Sequence, residues 1–331
     1  MKRQSFLVVC CLATAALLNS CSKKADIAPA PVPAPSPAAA EKTIVHLRLG
    51  GDISVGESPL PYGRQHGQYV YARTLRDSTI YAIDVRTADS RPYAAGMFNN
   101  TDSITLELTK GLDYIITAAA FKKGSGHGLW YEMTGGLQRF GYPFNRTLEN
   151  KMVYNVTDSF FMANLDYTQV FASDSTNAYA GYFPELDSYM GTVNFSPDSA
   201  QTLDIPLKRI VFGLQFNVVN FNDGKLIVQY ENYLPNRSYT PQDISNSLGI
   251  YTGNAFRWIE ELNGANDILT LKWERTDGNV YTLGSKTLPA FKRNYITTVN
   301  VTLPTDPSTV NNGVSITLSD TTWTSSNTVD F

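Results

Sequence analysis

The chain has 331 residues, of which 17% are charged and 12% aromatic, with a formal net charge of −3 at pH 7. That balance excludes the basic footprint of a nucleic-acid binder. Tyr, Thr, Val and Ile suit a pleated, half-buried surface, Asn, Gly and Asp supply turns, and the length is a prior for a pair of domains.

Residues 1–20 read as a targeting segment. Lys2 and Arg3 form a positive start, and residues 6–18 form an apolar run too short to span a bilayer. Leu18, Asn19, Ser20 and Cys21 then resemble a bacterial lipobox. The resemblance implies that the Cys21 thiol receives a diacylglycerol, the leader is removed and the new amino terminus is acylated. The only cysteines are Cys10, Cys11 and Cys21, so removal of the leader leaves one thiol and no internal disulfide. Each buried methylene of the lipid adds about 0.8 kcal/mol, and two or three chains hold permanently where one is marginal. The expected location is the outer membrane, lipid-anchored and facing the cell surface, with the lipid on Cys21 as the membrane contact. Residues 21–42 are rich in Pro and Ala. They cannot pack a core and favour extended polyproline II, which makes them a tether.

Beyond the tether, period-2 alternation dominates. Val45, Leu47 and Leu49 alternate with His46 and Arg48; Ile104, Leu106 and Leu108 alternate with polar neighbours. Residues 114–121 are apolar on both faces, as in a central strand. Ile210, Phe212, Leu214, Phe216 and Val218 share one face, Asn222-Asp223-Gly224 turns the chain, and Leu226, Val228 and Tyr230 resume that face. The pattern predicts a β-hairpin. Leu269, Leu271 and Trp273, and then Tyr295, Thr297, Val299, Val301 and Leu303, alternate likewise. A strand with one apolar face needs a second sheet to cover it, so the predicted fold is all-β, with two tandem antiparallel β-sandwich domains. Residues 43–200 are assigned to the first sandwich and 201–304 to the second, with a break in the polar stretch 196–204. Residues 305–331 form a tail.

Several segments together resemble the fimbrillin-like lipoproteins of the Bacteroidetes. They are Gly51-Asp52-Ile53-Ser54-Val55-Gly56-Glu57-Ser58-Pro59-Leu60, Ile80-Tyr81-Ala82-Ile83-Asp84-Val85, Tyr93-Ala94-Ala95-Gly96-Met97-Phe98, Gly141-Tyr142-Pro143-Phe144 with Asn150-Lys151-Met152-Val153-Tyr154, Lys208-Arg209-Ile210-Val211-Phe212-Gly213-Leu214 and Lys292-Arg293-Asn294-Tyr295. The resemblance implies transthyretin-like sandwiches and a structural or adhesive role in a surface pilus. It implies assembly by strand addition: a protease removes the first strand, residues 43–49, and an extended strand of another fimbrillin-like subunit takes its place. Cleavage after a basic residue makes Lys42, Arg48 and Arg64 the candidates, with Arg73 and Arg76 further on. Val314, Ile316 and Leu318, followed by Trp323, are the candidate donor strand; otherwise the tail closes the second sandwich.

Other chemistry is poorly supported. His46, His66 and His127 lack metal-ligand spacing, so no metal or other cofactor is expected. Gly124-Ser125-Gly126-His127-Gly128 lacks the Lys-Ser/Thr of a phosphate loop and reads as a hairpin connection. No Gly-x-Ser-x-Gly occurs, and neither Glu260-Glu261 nor Glu185 with Asp187 makes a convincing catalytic pair, so no catalytic residue and no enzyme is expected. The rival reading is a glycan-binding surface lipoprotein of a nutrient-uptake system, with Tyr251, Phe256 and Trp258 stacking on host or environmental glycans. The alternative for those rings is that they cap the core.

Overall fold

The computed structural model describes residues 41–55, 79–157, 165, 168–171, 177–179, 183–197, 202–263, 267–305 and 314–323. The leader, Cys21, Arg64, His66, Arg73 and Arg76 lie outside the described residues. Among the described residues there are strands and short 3-10 turns but no α-helix, and the chain is all-β.

The first sandwich takes β1 (Lys42–Gly51), β2 (Ile80–Thr87), β3 (Pro92–Phe98), β4 (Thr105–Thr109) and β5 (Tyr114–Lys123). A small sheet follows, made of β6 (Tyr131–Thr134), β7 (Leu137–Phe140) and β8 (Arg146–Thr147). Then come β9 (Lys151–Tyr154), the short pair β10 (Gln169–Phe171) and β11 (Asn177–Tyr179), β12 (Leu186–Phe195) and β13 (Thr202–Arg209). The hydrogen-bonded order is β4-β1-β13-β12-β5-β2-β3-β9. Between β13 and β12 only Tyr189↔Arg209 and Met190↔Lys208 pair, so this is a corner joining a three-stranded layer to a five-stranded one.

The alternation seen in the sequence explains the packing. Val45, Leu47, Leu106, Leu108, Ile205 and Leu207 of the short layer share a core with Ile83, Val85, Phe98, Ile116 and Ala118 of the long layer. The long layer is covered on its other face as well. Ala82, Ala95, Met97, Ala119 and Phe121 belong to a second core together with Phe140, Phe144 and Leu148, which is why β2 and β5 lack polar alternation.

The second sandwich takes β14 (Val211–Val219), β15 (Lys225–Tyr230), β16 (Arg237–Tyr239), β17 (Gly249–Thr252), β18 (Ile268–Glu274), β19 (Val280–Thr287), β20 (Tyr295–Thr302) and β21 (Ser315–Thr322). Its sheets are β17-β14-β20-β21 and β16-β15-β18-β19. Phe212, Leu214, Phe216, Val299 and Val301 of the first meet Leu226, Val228, Leu269, Leu271 and Trp273 of the second in one core.

Three expectations need correction. β14 and β15 are not a hairpin: they lie in facing sheets, and β14 pairs instead with β17 and, in parallel, with β20. An arch across a sandwich and a hairpin within a sheet give the same alternation, because both strands turn their apolar side to one core. β1 and β13 also pair in parallel, so the sandwiches are not purely antiparallel. Finally, Thr202–Arg209, assigned by sequence to the second sandwich, is built into the first between β1 and β12. The boundary strand was masked by its polar outer face, which carries Thr202, Asp204, Pro206 and Lys208.

Candidate functional site

The first strand occupies a slot. On one side β1 pairs antiparallel with β4, from Lys42↔Thr109 to His46↔Thr105. On the other it pairs in parallel with β13, from His46↔Thr202 to Gly51↔Leu207. Val45 and Leu47 point into the core, and Ile53 is buried just beyond the strand end. Full burial is worth about 1.5–3 kcal/mol for each such side chain. The strand is thus held chiefly by its backbone ladder and a short row of alternate side chains. Gly51 ends it with a φ of +83°, and a Cβ there would sit 2.7 Å from the Leu207 carbonyl oxygen. Only glycine fits so close a turn against the neighbouring backbone.

The strand end is tied to a charged junction. The Asp52 carboxylate accepts the Arg209 backbone N–H at 2.9 Å and lies 3.5 Å from the Arg293 guanidinium. Arg209 donates from Nε to Asp187 at 2.7 Å and from Nη1 to Asn294 at 3.3 Å. Its guanidinium also lies 3.7 Å from the centre of the Trp323 ring. Arg293 donates to Glu260 at 2.6 Å, and Lys208 donates to the same carboxylate. Burial raises the pKa of Glu260, but hydrogen bonds and charge from Lys208 and Arg293 outweigh it and hold the carboxyl below its usual range. Residues from the end of β1, from β12 and β13, from the 258–263 loop, from the β20 entry and from the tail therefore meet at one point.

The cleavage candidates differ in setting. Lys42 starts the β1 ladder and donates to Glu107 at 2.5 Å. Arg48 lies inside the ladder and grips Asp204 at 2.6 and 2.8 Å. Both pairs are solvent-exposed, where such contacts contribute little. Arg64 falls between β1 and β2 in sequence, outside the described residues. The candidate donor strand is β21, which pairs antiparallel with β20 from Tyr295↔Thr322 to Thr302↔Ser315, so here the tail completes its own sandwich.

The aromatic trio is not a stacking platform. Tyr251 is buried against Phe212, with ring centroids 5.4 Å apart, and burial pushes its hydroxyl pKa up. Phe256 is fully buried, edge-on to the same ring at 6.1 Å. Of the three only Trp258 is exposed, at 73%. Alternation could not separate them, because β17, which carries Tyr251, is buried at all four positions, and Phe256 and Trp258 lie in and just after the 3-10 turn Asn254–Arg257, where period 2 does not apply.

The other motifs resolve into structure. Glu185 pairs with Arg237 and accepts from Ser125 at 3.1 Å, while Asp187 pairs with Arg209. The glycine-rich segment is not a hairpin connection, because β5 and β6 lie in different sheets. Its glycines let it pack on the second sandwich's doorstep: a Cβ on Gly124 would meet the Glu185 carbonyl oxygen at 2.7 Å, and Ser125 Oγ accepts the Ile250 N–H at 2.9 Å. His46 and His127 are exposed, and among the described residues no cluster of His, Cys, Asp and Glu is arranged to hold a metal. Sequence reading missed Asp52, Arg209 and Arg293 as a junction, since long-range ion pairs leave no local pattern. It also missed Asp267, which is fully buried and accepts five backbone N–H groups, those of residues 231–234 and its own neighbour Ile268, at 2.8–3.1 Å.

No family model matches the chain, and no curated protein matches it. Solved structures do. A candidate cell adhesion protein from Bacteroides eggerthii DSM 20697 is similar at 12% identity and a TM-score of 0.45, over 86% of this chain and 97% of that one. A fimbrial assembly protein from Parabacteroides distasonis ATCC 8503 is similar at 11% identity and a TM-score of 0.37, over 85% and 99%. The tip fimbrial protein Mfa3 from Porphyromonas gingivalis, with a C-terminal truncation, is similar at 14% identity and a TM-score of 0.29, over 75% and 95%. The solved structures that this chain is similar to thus include cell-adhesion and fimbrial proteins of the Bacteroidetes.

Proposed function

We propose that this chain is a lipid-anchored envelope protein that serves as a structural or adhesive subunit of a surface fimbria and joins its neighbours by strand addition. The observation that carries the proposal is the setting of β1. It is the first strand after the tether, it is flanked on both sides by ladders, and it buries only alternate side chains. Taking it out leaves two unpaired strand edges and a row of apolar pockets, which is what an incoming extended segment recognises.

The ladders of β1 favour a cut between β1 and β2 over one inside the strand. A protease needs its substrate extended and free. The bonds after Lys42 and Arg48 are held in the β1 ladder, and a cut after Lys42 would leave the strand attached to the rest of the domain. A cut after Arg64, Arg73 or Arg76, all of which fall between β1 and β2 in sequence, would separate the two strands. The lipid on Cys21 would then stay with the released strand.

The test uses the chain from residue 22 onward, which contains the whole compact unit beginning at Ala40. Limited digestion with a trypsin-like protease is expected to produce SDS-resistant ladders, and deletion of 305–331 is expected to prevent them. Monomers alone, before and after digestion, would contradict the proposal.

A further inference from the structure

The outer face of the β17-β14-β20-β21 sheet is an ordered array of neutral hydrogen-bonding groups. Register places Gln215 beside Thr298 and Thr298 beside Ser319, and in the next row Asn217 beside Asn300 and Asn300 beside Thr317. The rows are preorganised by their own bonds. Gln215 donates to Thr298 Oγ1 at 2.8 Å, Asn217 donates to the side-chain Oδ1 of Asn300 at 3.0 Å, and Asn300 donates diagonally to Ser319 Oγ at 3.3 Å. Asn217, Thr317 and Ser319 are exposed and the other three half-buried.

Two features set this face apart from an ordinary solvated one. No charged side chain stands in either row, whereas the outer face of the partner sheet carries Lys225, Lys272 and Glu274. The array also has an aromatic end wall. A Cβ on Gly213, one row further along β14, would lie 3.3 Å from the Trp323 ring, so the indole sits over that glycine at the head of the rows. Arg209 stacks on the same ring and fixes it there.

From this arrangement we infer that the face binds a neutral polysaccharide. Strand and residue spacings give the six groups a footprint of roughly 10 by 7 Å, the scale of a hexose unit. Carboxamides and hydroxyls both donate and accept, which suits the mixed polarity of sugar hydroxyls. The absence of charge favours a neutral glycan over a uronic-acid polymer or a charged protein patch. The Trp ring edge supplies the apolar contact at one end. The site belongs to the chain whose own β21 completes the sheet, and Trp323 at its head is the ring that Arg209 of the junction holds.

Affinity electrophoresis of the chain from residue 22 through gels containing dextran, laminarin or soluble starch, with polygalacturonate as the charged control, tests it. At least one neutral gel is expected to retard the protein and polygalacturonate is not. Asn217→Ala with Asn300→Ala is expected to weaken retardation by about tenfold or more, through the loss of paired hydrogen bonds. Thr317→Lys, at an exposed position of β21, is expected to do the same with the melting temperature kept, while Trp258→Ala leaves retardation unchanged. Absence of retardation in every neutral gel, retention of it in both row variants, or its loss in Trp258→Ala would overturn the inference. So would a dimer in sedimentation velocity that Thr317→Lys dissolves, since the rows would then seat a second copy.

Discussion

Replacing Asp267 by Asn keeps the shape of the side chain and removes its acceptor symmetry. In the wild type, Oδ1 accepts the N–H groups of Glu231, Asn232 and Ile268, and Oδ2 accepts those of Tyr233 and Leu234. The best-placed amide keeps its oxygen at the first cluster and turns its NH₂ toward the second. Two buried donors then face another donor. Each costs about 1–3 kcal/mol, and the remaining bonds lose their charge assistance. The sum is about 3 kcal/mol, or roughly 6–12 °C in melting temperature for a chain of this size. Urea unfolding of the chain from residue 22 would measure it. The loop that Asp267 organises also carries Tyr233, whose carbonyl accepts the Phe183 N–H at 3.4 Å, so loosening should appear at Phe183 in hydrogen exchange. A loss below about 1 kcal/mol would refute the reasoning, because it would mean that the 231–234 loop finds other acceptors.

Arg209→Ala strips the cation from Asp187, a carboxylate that is almost wholly buried and retains the Tyr189 hydroxyl at 3.2 Å as a side-chain donor, and should cost about 3 kcal/mol. Adding Asp187→Asn should recover much of that in a double-mutant cycle. Phe212, sandwiched against Phe291 with ring centroids 4.2 Å apart, should cost about 3–5 kcal/mol when cut to Ala, while Trp258→Ala should stay within about 0.5 kcal/mol. Asp84 supplies a pH test. Burial raises its carboxyl pKa, opposed by the Arg86 hydrogen bond at 2.9 Å and by the charges of Arg86 and Arg146. The fold therefore binds that proton more tightly than the unfolded chain does, and protonation at Asp84 favours the fold as pH falls from neutral. Asp84→Asn should gain stability at pH 7, with the gain shrinking toward pH 4; a loss at pH 7 would contradict this.

Much of the fold can be read from residue pattern. The apolar faces of β1, β14, β18 and β20 follow directly from alternation, and the two-faced burial of β5 follows from its lack of polar positions. Pairing partners cannot be read this way. β14 bonds to β20 across some eighty residues, and nothing in Phe212-Gly213-Leu214 distinguishes a neighbour beside it from one across the core. The same ambiguity hid β13, a strand whose outward half is polar. At the candidate site, β1 was visible as a short alternating strand behind a Pro- and Ala-rich segment. The charged knot around Arg209 was not, because its members come from six places in the chain. For the aromatic trio the core-capping alternative holds for two rings: Tyr251 packs inward from β17, which is buried along its length, and Phe256 from the 3-10 turn Asn254–Arg257 that follows.

The central claim is that β1 fills a slot another strand can take, and hydrogen exchange on either side of that slot tests it most directly. β4 and β13 should be protected in the intact chain. After a cut between residues 56 and 78, their amides should lose protection in any monomer that has shed β1 and regain it in the assembled species. Continued protection of both strands in a cleaved, monomeric protein that still retains the β1 fragment would contradict the account.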